Sequence, residues 1–234
     1  MAITNHQVVS RAEWIEARKQ LLAREKQFTR ERDQLSAARR ALPWVQVTER
    51  YEFERAGGKA TLADLFDGKS QLVVYHFMFA PDWQTGCKSC SFWADNFNGI
   101  VEHLAHRDVR LVAVSRAPLA KLTAFARRLG WTFEWASSQG SSFNHDFGVS
   151  FTPDEIASGK VAYNYAIQDA HGPELPGISV FCKDGDAIFH TYSCYARGLD
   201  MMNTAYHYLD LVPRGRDEGN RAMSWLRLRD DYGA

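Results

Sequence analysis

Apolar positions along the chain change period several times, and each change marks an element. Residues 71–79 read QLVVYHFMF, a nearly continuous run of β-branched, aromatic and aliphatic side chains. A strand with one wet face would alternate, so this run predicts a central strand covered on both faces. Residues 109–115 (VRLVAVS) predict a second buried strand. Between the two, Phe92, Trp93, Phe97, Ile100, Val101 and Leu104 recur at helical spacing. Pro118 stands at a first helical position, Leu119, Leu122, Phe125, Ala126 and Leu129 share one face, and Gly130 supplies the stop. Trp131, Phe133 and Trp135 then alternate with Thr132 and Glu134, predicting a third strand. Residues 178–182 and 187–192 flank Lys183-Asp184-Gly185-Asp186, a hairpin signal. Met201, Met202, Ala205, Tyr206 and Leu209 predict a last amphipathic helix before Pro213. The order β-α-β-α-β, then hairpin, then helix predicts an α/β fold: a central mixed sheet of parallel strands finished by an antiparallel pair, flanked by helices.

The ends read differently. Residues 10–40 are highly charged and free of Gly and Pro, which predicts a helix of about 45 Å at about 1.5 Å per residue. Its large apolar residues, Trp14, Leu21, Phe28 and Leu35, fall at every seventh position. This stripe is narrower than a coiled-coil seam, because the places three and four later are mostly Arg, Glu or Ala. An arm of this kind packs along its own domain or along a second subunit, giving a homodimer. Leu42-Pro43-Trp44 ends it, residues 45–53 predict a short strand or a hairpin turning at Gly57-Gly58, and Thr61 to Phe66 read as one capped turn. Residues 137–172 read as irregular apart from Thr152-Pro153-Asp154-Glu155, a helix start closed by Gly159. A structureless stretch of that length is expected to be a functional lid. From Arg214 the chain is a charged tail, with Trp225, Leu226 and Leu228 available to dock. The expected division is an arm (1–41), one domain (42–213, including the 137–172 insertion) and a tail (214–234).

Composition narrows the function. The 234 residues carry 28 basic and 28 acidic side chains, so nothing points to nucleic acid or another polyanion. No apolar run approaches the ~18 residues of a membrane span. The start MAITNHQVVSRAEW lacks the basic-then-apolar pattern of a secretory leader, so a cytoplasmic location is expected. Four cysteines are too few for a disulfide scaffold in a chain this long, and in a reducing compartment a close pair points to redox or metal chemistry.

That pair is Cys87-Lys88-Ser89-Cys90. It follows the buried strand and the turn residues Ala80-Pro81-Asp82, and it opens a helix. Helix-start N–H groups favour a thiolate at the first sulfur, Lys88 adds positive charge, and the second sulfur, one turn on, is placed to resolve a mixed disulfide. Two blander readings compete. The pair could be structural thiols, or half of a zinc site, which needs two further ligands. Cys182 and Cys194, with His190, have a spacing that fits no zinc ribbon. Redox chemistry is the favoured reading, with no metal and no cofactor. Gly68-Lys69-Ser70 is not a phosphate loop, since Ala63 stands where the first glycine belongs and the segment precedes a strand. His103 and His106 share a helix face, but a helix C-terminus attracts such residues without a metal. Cys182 reads as inert and Cys194 as a third thiol if its strand nears Cys87. Tyr163, Tyr165, Tyr192 and Tyr195 read as core or as a wall of the active face, and His145-Asp146 as a loop cap or pocket lining.

The element order resembles the thioredoxin-like fold and, in detail, its peroxiredoxin-type branch: Gly-Lys-Ala-Thr-Leu-Ala-Asp-Leu-Phe before the first main strand, Val-Ser-Arg-Ala-Pro closing the second, and Phe147-Gly148-Val149 after the third. The phrases HFMFAPDWQTGCKSCSFWADNFNG, Tyr163-Asn164-Tyr165 and the run from Phe189 to Gly198 look like a bacterial thioredoxin-like family known as domain of unknown function 899. They lie across nearly the whole chain. The resemblance implies a redox role without a substrate. It also implies that Pro176, or its competitor Pro173, is a cis-proline facing the cysteines, offering backbone pairing to an extended substrate.

Two departures stand out. Thioredoxins usually carry Trp directly before the first cysteine and a buried carboxylate on the preceding strand. Here Gly86 precedes Cys87, Trp83 lies four back, and the strand offers Tyr75 and His76 but no acid. His76 is therefore a candidate proton acceptor for Cys90, against the commoner role of a core histidine. Peroxiredoxins place Pro, Thr four on and Cys three further; Pro81 and Thr85 fit, but Cys87 comes one residue early. They also need an Arg by the thiolate, for which Arg116 and Arg197 are candidates, although surface ion pairs are their commoner use. The expected activity is thiol–disulfide oxidoreduction, Cys87 attacking and Cys90 resolving, with a disulfide- or peroxide-containing substrate and an external thiol reductant. The alternatives are a thiol peroxidase and a non-enzymatic scaffold that dimerises through its first helix.

Overall fold

The computed structural model describes residues 6–233. The part of the leader reading that rests on Met1 to Asn5 lies outside the described residues. The first element is α1 (Arg11–Arg40), opened by a reciprocal cap in which Ser10 and Glu13 each satisfy the other's backbone N–H. None of its residues is buried, so it does not pack along its own domain. Its root is held by the Arg39 guanidinium over the Tyr192 ring (5.6 Å) and by Trp44 against Phe189 (5.8 Å between ring centres).

Among the described residues ten strands follow: β1 (Val45–Gln46), β2 (Glu52–Arg55), β3 (Gly58–Thr61), β4 (Gln71–His76), β5 (Val109–Ser115), β6 (Glu134–Ser137), β7 (Lys160–Tyr163), β8 (Ala166–Asp169), β9 (Gly177–Asp184) and β10 (Ala187–Tyr195). Eight of them form one sheet in the order β1-β10-β9-β4-β5-β6-β2-β3. β4, β5 and β6 run parallel, β9 lies antiparallel to β4, and β10 closes the hairpin with β9. This is the mixed, thioredoxin-like sheet with the predicted strand at its middle. The helices are α2 (Lys88–Ala94), α3 (Val101–Ala105), α4 (Leu119–Arg128), α5 (Phe143–Asp146), α6 (Pro153–Ala157) and α7 (Thr204–Leu209). Among the described residues no helix is long and apolar enough to cross a membrane.

Strand alternation sorts β4 between two cores. Leu72 and Val74 join Phe53, Leu65, Phe66, Phe143 and Phe181 on one side. Tyr75 and Phe77 join Trp93, Phe97, Phe125, Trp131 and Trp135 on the other. The sheet is covered on both faces, which is why β4 shows no polar alternation. Leu226 and Leu228 are buried, so the tail docks as its apolar residues predicted.

Several elements differ from expectation. The single helix expected across residues 91–104 is two, α2 and α3. Asn96 Nδ2 donates to the Phe92 and Trp93 carbonyls, both at 3.0 Å, and so competes with the helical ladder. The third strand starts at Glu134 because the Trp131 N–H closes the end of α4 on the Ala126 carbonyl (2.9 Å); Trp131, Phe133 and Trp135 are nonetheless buried in one cluster. The stretch 137–172 is not irregular. It holds α5, a capped α6 and the β7–β8 hairpin, whose turn residues Asn164 and Tyr165 both have positive φ (52° and 62°), as a two-residue hairpin of the commonest kind requires. With Asn-Tyr in place of Asn-Gly, the turn signal was hidden. The last helix begins only at Thr204, after a tight 3₁₀ segment over Ala196–Met202.

Candidate active site

The parallel strands β4 and β5 end at the same edge of the sheet, and the chain leaving β4 forms the Pro81 to Gly86 loop there before α2 begins. Cys87 is the residue before α2's first turn. Its own N–H donates to the Met78 carbonyl (3.1 Å), pinning the loop back onto the strand. Its carbonyl accepts from the Ser91 N–H and hydroxyl, each at 2.9 Å. Gly86 is obligatory at this join: a Cβ there would meet Phe77 Cε1 at 2.8 Å and Phe125 Cε1 at 2.9 Å. That close approach explains why no tryptophan precedes Cys87. Trp83 packs half-buried against the same aromatic core, and Lys121 Nζ ties the loop down by donating to the Pro81 and Trp83 carbonyls (2.8 and 3.1 Å).

The two sulfurs sit in unlike surroundings. Both cysteines are thiols, Cys87 half-buried and Cys90 buried at 2% exposure. Hydrogen bonding from the Cys90 thiol, helped by the Cys90 and Ser89 N–H groups, lowers the Cys87 pKa to about 6 against the opposing cost of burial. Burial, followed by the neighbouring Cys87, pushes Cys90 well above the thiol range. The Met78 N–H donates to Cys90 Sγ at 3.5 Å. The Tyr75 hydroxyl lies 3.4 Å from the Cys90 carbonyl oxygen and counteracts part of the burial effect on the thiol.

The remaining expected site residues divide into those near the pair and those turned elsewhere. Lys88 and Thr85 are exposed beside it. His76 points away, since it follows Tyr75 on an alternating strand. Its Nε2 is 2.8 Å from Ser179 Oγ and its ring stacks on Phe147 (5.9 Å), on the opposite face of the sheet from Tyr75. Burial lowers its pKa to about 3. His76 is a core histidine, and the role of proton acceptor for Cys90 is corrected. Arg116 leaves the end of β5 and places its guanidinium 3.4 Å from Glu174 Oε1 and 3.4 Å from His145 Nε2. Arg197 pairs with Asp200 at 2.7 Å.

Pro176 is not cis: among the described residues no peptide bond is. The backbone around it is already paired, the Leu175 N–H with the Val149 carbonyl (2.9 Å) and the Pro176 carbonyl with the Tyr163 hydroxyl (2.7 Å). The pairing edge expected for a substrate is taken by the 137–172 stretch. Glu174 is the residue the sequence reading missed. It is 2% exposed, accepts from Ser150 Oγ at 2.9 Å, and is raised by burial to about 7 despite Arg116. A lone Glu before Leu-Pro-Gly carries no sequence signal of burial.

Three tyrosines wall a groove of about 380 Å³ between α5 and the β7–β8 turn, lined also by Phe147, Gly148 and Asn164. Tyr163 and Tyr195 meet edge to face at 5.3 Å, and Tyr165 leans on Tyr195 at 5.6 Å. Asp146 reaches this groove whereas His145 turns to Arg116. Tyr192 lies apart, under Arg39. Cys194 is buried in the core that also receives Cys90, with its pKa raised by burial; Cys182 lies at the other end of β9, opposite Gln71. Among the described residues no three His, Cys, Asp or Glu side chains are grouped to hold a metal ion.

Comparison with solved structures finds peroxiredoxin and thiol-oxidoreductase chains at low similarity. Peroxidoxin BcpB of Mycobacterium tuberculosis is 17% identical, with a TM-score of 0.46, covering 69% of this chain and 93% of its own. Peroxiredoxin Q of Xanthomonas campestris is 15% identical, with a TM-score of 0.43, covering 69% and 96%. A Bacteroides vulgatus chain provisionally described as a thiol-disulfide oxidoreductase is 19% identical, with a TM-score of 0.35, covering 48% and 75%. Comparison with curated proteins gave no match. A family model described as bacterial protein of unknown function (DUF899) matches residues 3–232, and the chain belongs to that family.

Proposed function

We propose that this protein is a thiol–disulfide oxidoreductase working through Cys87 and Cys90. The observation that carries the reading is the contrast between the sulfurs: a half-buried Cys87 with its pKa lowered to about 6, and a buried Cys90 held as the thiol. A nucleophile must be ionised and reachable, whereas a resolving thiol must wait close by. The Cys87 thiolate attacks one sulfur of a substrate disulfide, forming a mixed disulfide and expelling the other sulfur as thiolate. That leaving thiolate takes the Cys90 proton, a role no carboxylate or imidazole on β4 fills. Cys90 then attacks Cys87 Sγ, releasing the second substrate thiol and leaving a Cys87–Cys90 disulfide. The substrate has gained two electrons, and an external dithiol returns them to the enzyme.

Lys88, exposed beside the pair, and Trp83, Thr85 and Pro176 are proposed to border the substrate. A thiol peroxidase is the less favoured chemistry, since the Arg116 guanidinium is engaged by Glu174 and His145. The test is disulfide reductase turnover with a dithiol donor, compared with hydroperoxide consumption in a single turnover. Cys87→Ser is expected to abolish the first, and Cys90→Ser to trap the mixed disulfide. Full reductase activity in Cys87→Ser would remove this reading, and a scaffold role would take its place.

A further inference from the structure

Strand β9 runs antiparallel to β4 with Gly177 opposite His76, so residues 173–176 enter the sheet at the end from which the cysteine loop leaves. Arg116, leaving β5 at the same end, reaches Glu174. Burial raises the Tyr163 pKa and Cys90 adds to it, which places this phenol, bonded to the Pro176 carbonyl, within electrostatic reach of the pair. A polypeptide adding a strand along 173–176 would need the N–H and carbonyl groups of that segment.

Those groups are largely missing or taken. Pro173 and Pro176 have no N–H. Residues 149–151 already lie against 173–175 as a short antiparallel strap, with Ser150 opposite Glu174. The Leu175 N–H donates to the Val149 carbonyl (2.9 Å) and the Phe151 N–H to the Pro173 carbonyl (3.0 Å). The Tyr163 hydroxyl donates to the Pro176 carbonyl and accepts from the Ala196 N–H (2.9 Å). The strap is anchored rather than poised to lift. Val149 and Phe151 are buried with Val161, Tyr163 and Tyr195. The Val149 and Ser150 N–H groups donate to the Asn144 carbonyl (2.9 and 3.2 Å), and Ser150 Oγ donates to the buried Glu174 carboxylate. Lifting the strap would open this apolar cluster and unpair buried polar groups, which costs more than a few new backbone bonds return.

We propose, on the oxidoreductase reading of Cys87 and Cys90, that the substrate is a low-molecular-weight disulfide, which meets the half-buried Cys87 sulfur without backbone pairing, the place of an added strand being filled by residues 149–151. For such a disulfide, RSSR, the Cys87 thiolate bonds one sulfur as the first RS⁻ leaves and takes the Cys90 proton. Cys90 then bonds Cys87, and the second RS⁻ leaves and takes a proton from water. RSSR gains two electrons and becomes two thiols, the cysteine pair becomes a disulfide, and an external dithiol returns the electrons.

The test uses the full chain and two mixed disulfides of mercaptoethanol, one with N-acetylcysteinamide and one with a cysteine inside an extended peptide. The bond broken is the same, and only the flanking backbone differs. With a dithiol donor, the small substrate is expected to match or exceed the peptide in kcat/KM. A peptide preference beyond about fivefold, the gain from one added backbone hydrogen bond, overturns the proposal. Cys90→Ser traps each adduct, and the Phe151 amide is expected to exchange with deuterium as slowly in both as in the free chain. Faster exchange in the peptide adduct means a displaced strap and overturns the proposal too. Reduction of neither disulfide removes the oxidoreductase reading and this substrate with it, whereas a peptide preference removes the small substrate alone.

Discussion

The Tyr75 hydroxyl reaches the backbone of Cys90, 3.4 Å from its carbonyl oxygen, on the face of β4 opposite His76. Of the two polar side chains at the end of this strand, the phenol attends Cys90 and the imidazole does not. Because the hydroxyl counteracts the burial of the Cys90 thiol, Tyr75→Phe is expected to slow resolution while sparing the first attack. Loss of one buried hydrogen bond, about 1 kcal/mol, corresponds to a mixed disulfide living about fivefold longer. Stopped-flow release of the second thiol measures it. An unchanged resolution rate would leave Tyr75 as packing alone.

For Cys87 the pH dependence has a definite sign. Its pKa in the folded chain is lowered from 9.0 to about 6, so the fold favours the thiolate. The stability this contributes is present above the ordinary thiol range and is lost as pH falls through about 6. Alkylation of Cys87 is accordingly expected to rise through pH 6 and to level off near neutrality, about tenfold in favour of thiolate at pH 7. Ultraviolet thiolate absorbance of the parent minus Cys87→Ala gives the curve. A midpoint near the free-cysteine value would refute an activated nucleophile.

Glu174 works in the opposite sense. Burial raises its pKa from 4.5 to about 7, so the folded chain holds a proton that the unfolded chain has released. Stability is therefore lost as pH rises from 4.5 to about 7, by roughly 3 kcal/mol at full effect. Glu174→Gln keeps an oxygen for the Ser150 hydroxyl and removes the titration. Relative to the parent, the variant's urea midpoint is expected to rise at pH 8 compared with pH 5, because the Cys87 and His76 contributions, which favour the folded chain at the higher pH, are then no longer opposed.

His76 supplies a third case. Burial lowers its pKa from 6.5 to about 3, so the unfolded chain takes up a proton before the folded chain does, and stability falls as pH drops from 6.5 toward 3. His76→Ala is expected to cost about 2–4 kcal/mol through the cavity among Phe143, Phe147 and Ser179. Its Cys87 titration and its resolution rate are expected to match the parent. A slowed resolution step with unchanged Cys87 would return His76 to the active site.

Much of this was legible along the chain because it depends on local pattern. Residues 109–115 form β5 over the predicted span, and the hairpin flanks Gly185 as its turn residues required. The continuous run of 71–79 announced a central strand because both of its faces are covered. What stayed hidden was either local competition that apolar pattern does not display or a contact far apart in sequence. Asn96 breaks a helix that its apolar neighbours would continue, and Asn164-Tyr165 turn a hairpin without glycine. Glu174 is buried only because Arg116 and Ser150 arrive from other elements.

The sequence by itself determined the sheet, its central strand and the place of Cys87 before a helix, because strand period, turn chemistry and capping act over a few residues. Only the tertiary structure decided which side chain of β4 looks at the sulfurs, that Cys90 is buried where Cys87 is not, and that the Leu175-Pro176 backbone is already engaged. Those outcomes follow from how strands stack and which faces close. Alternation puts Tyr75 and His76 on opposite sides, but it is the helix laid across one face that decides which side holds the cysteine pair.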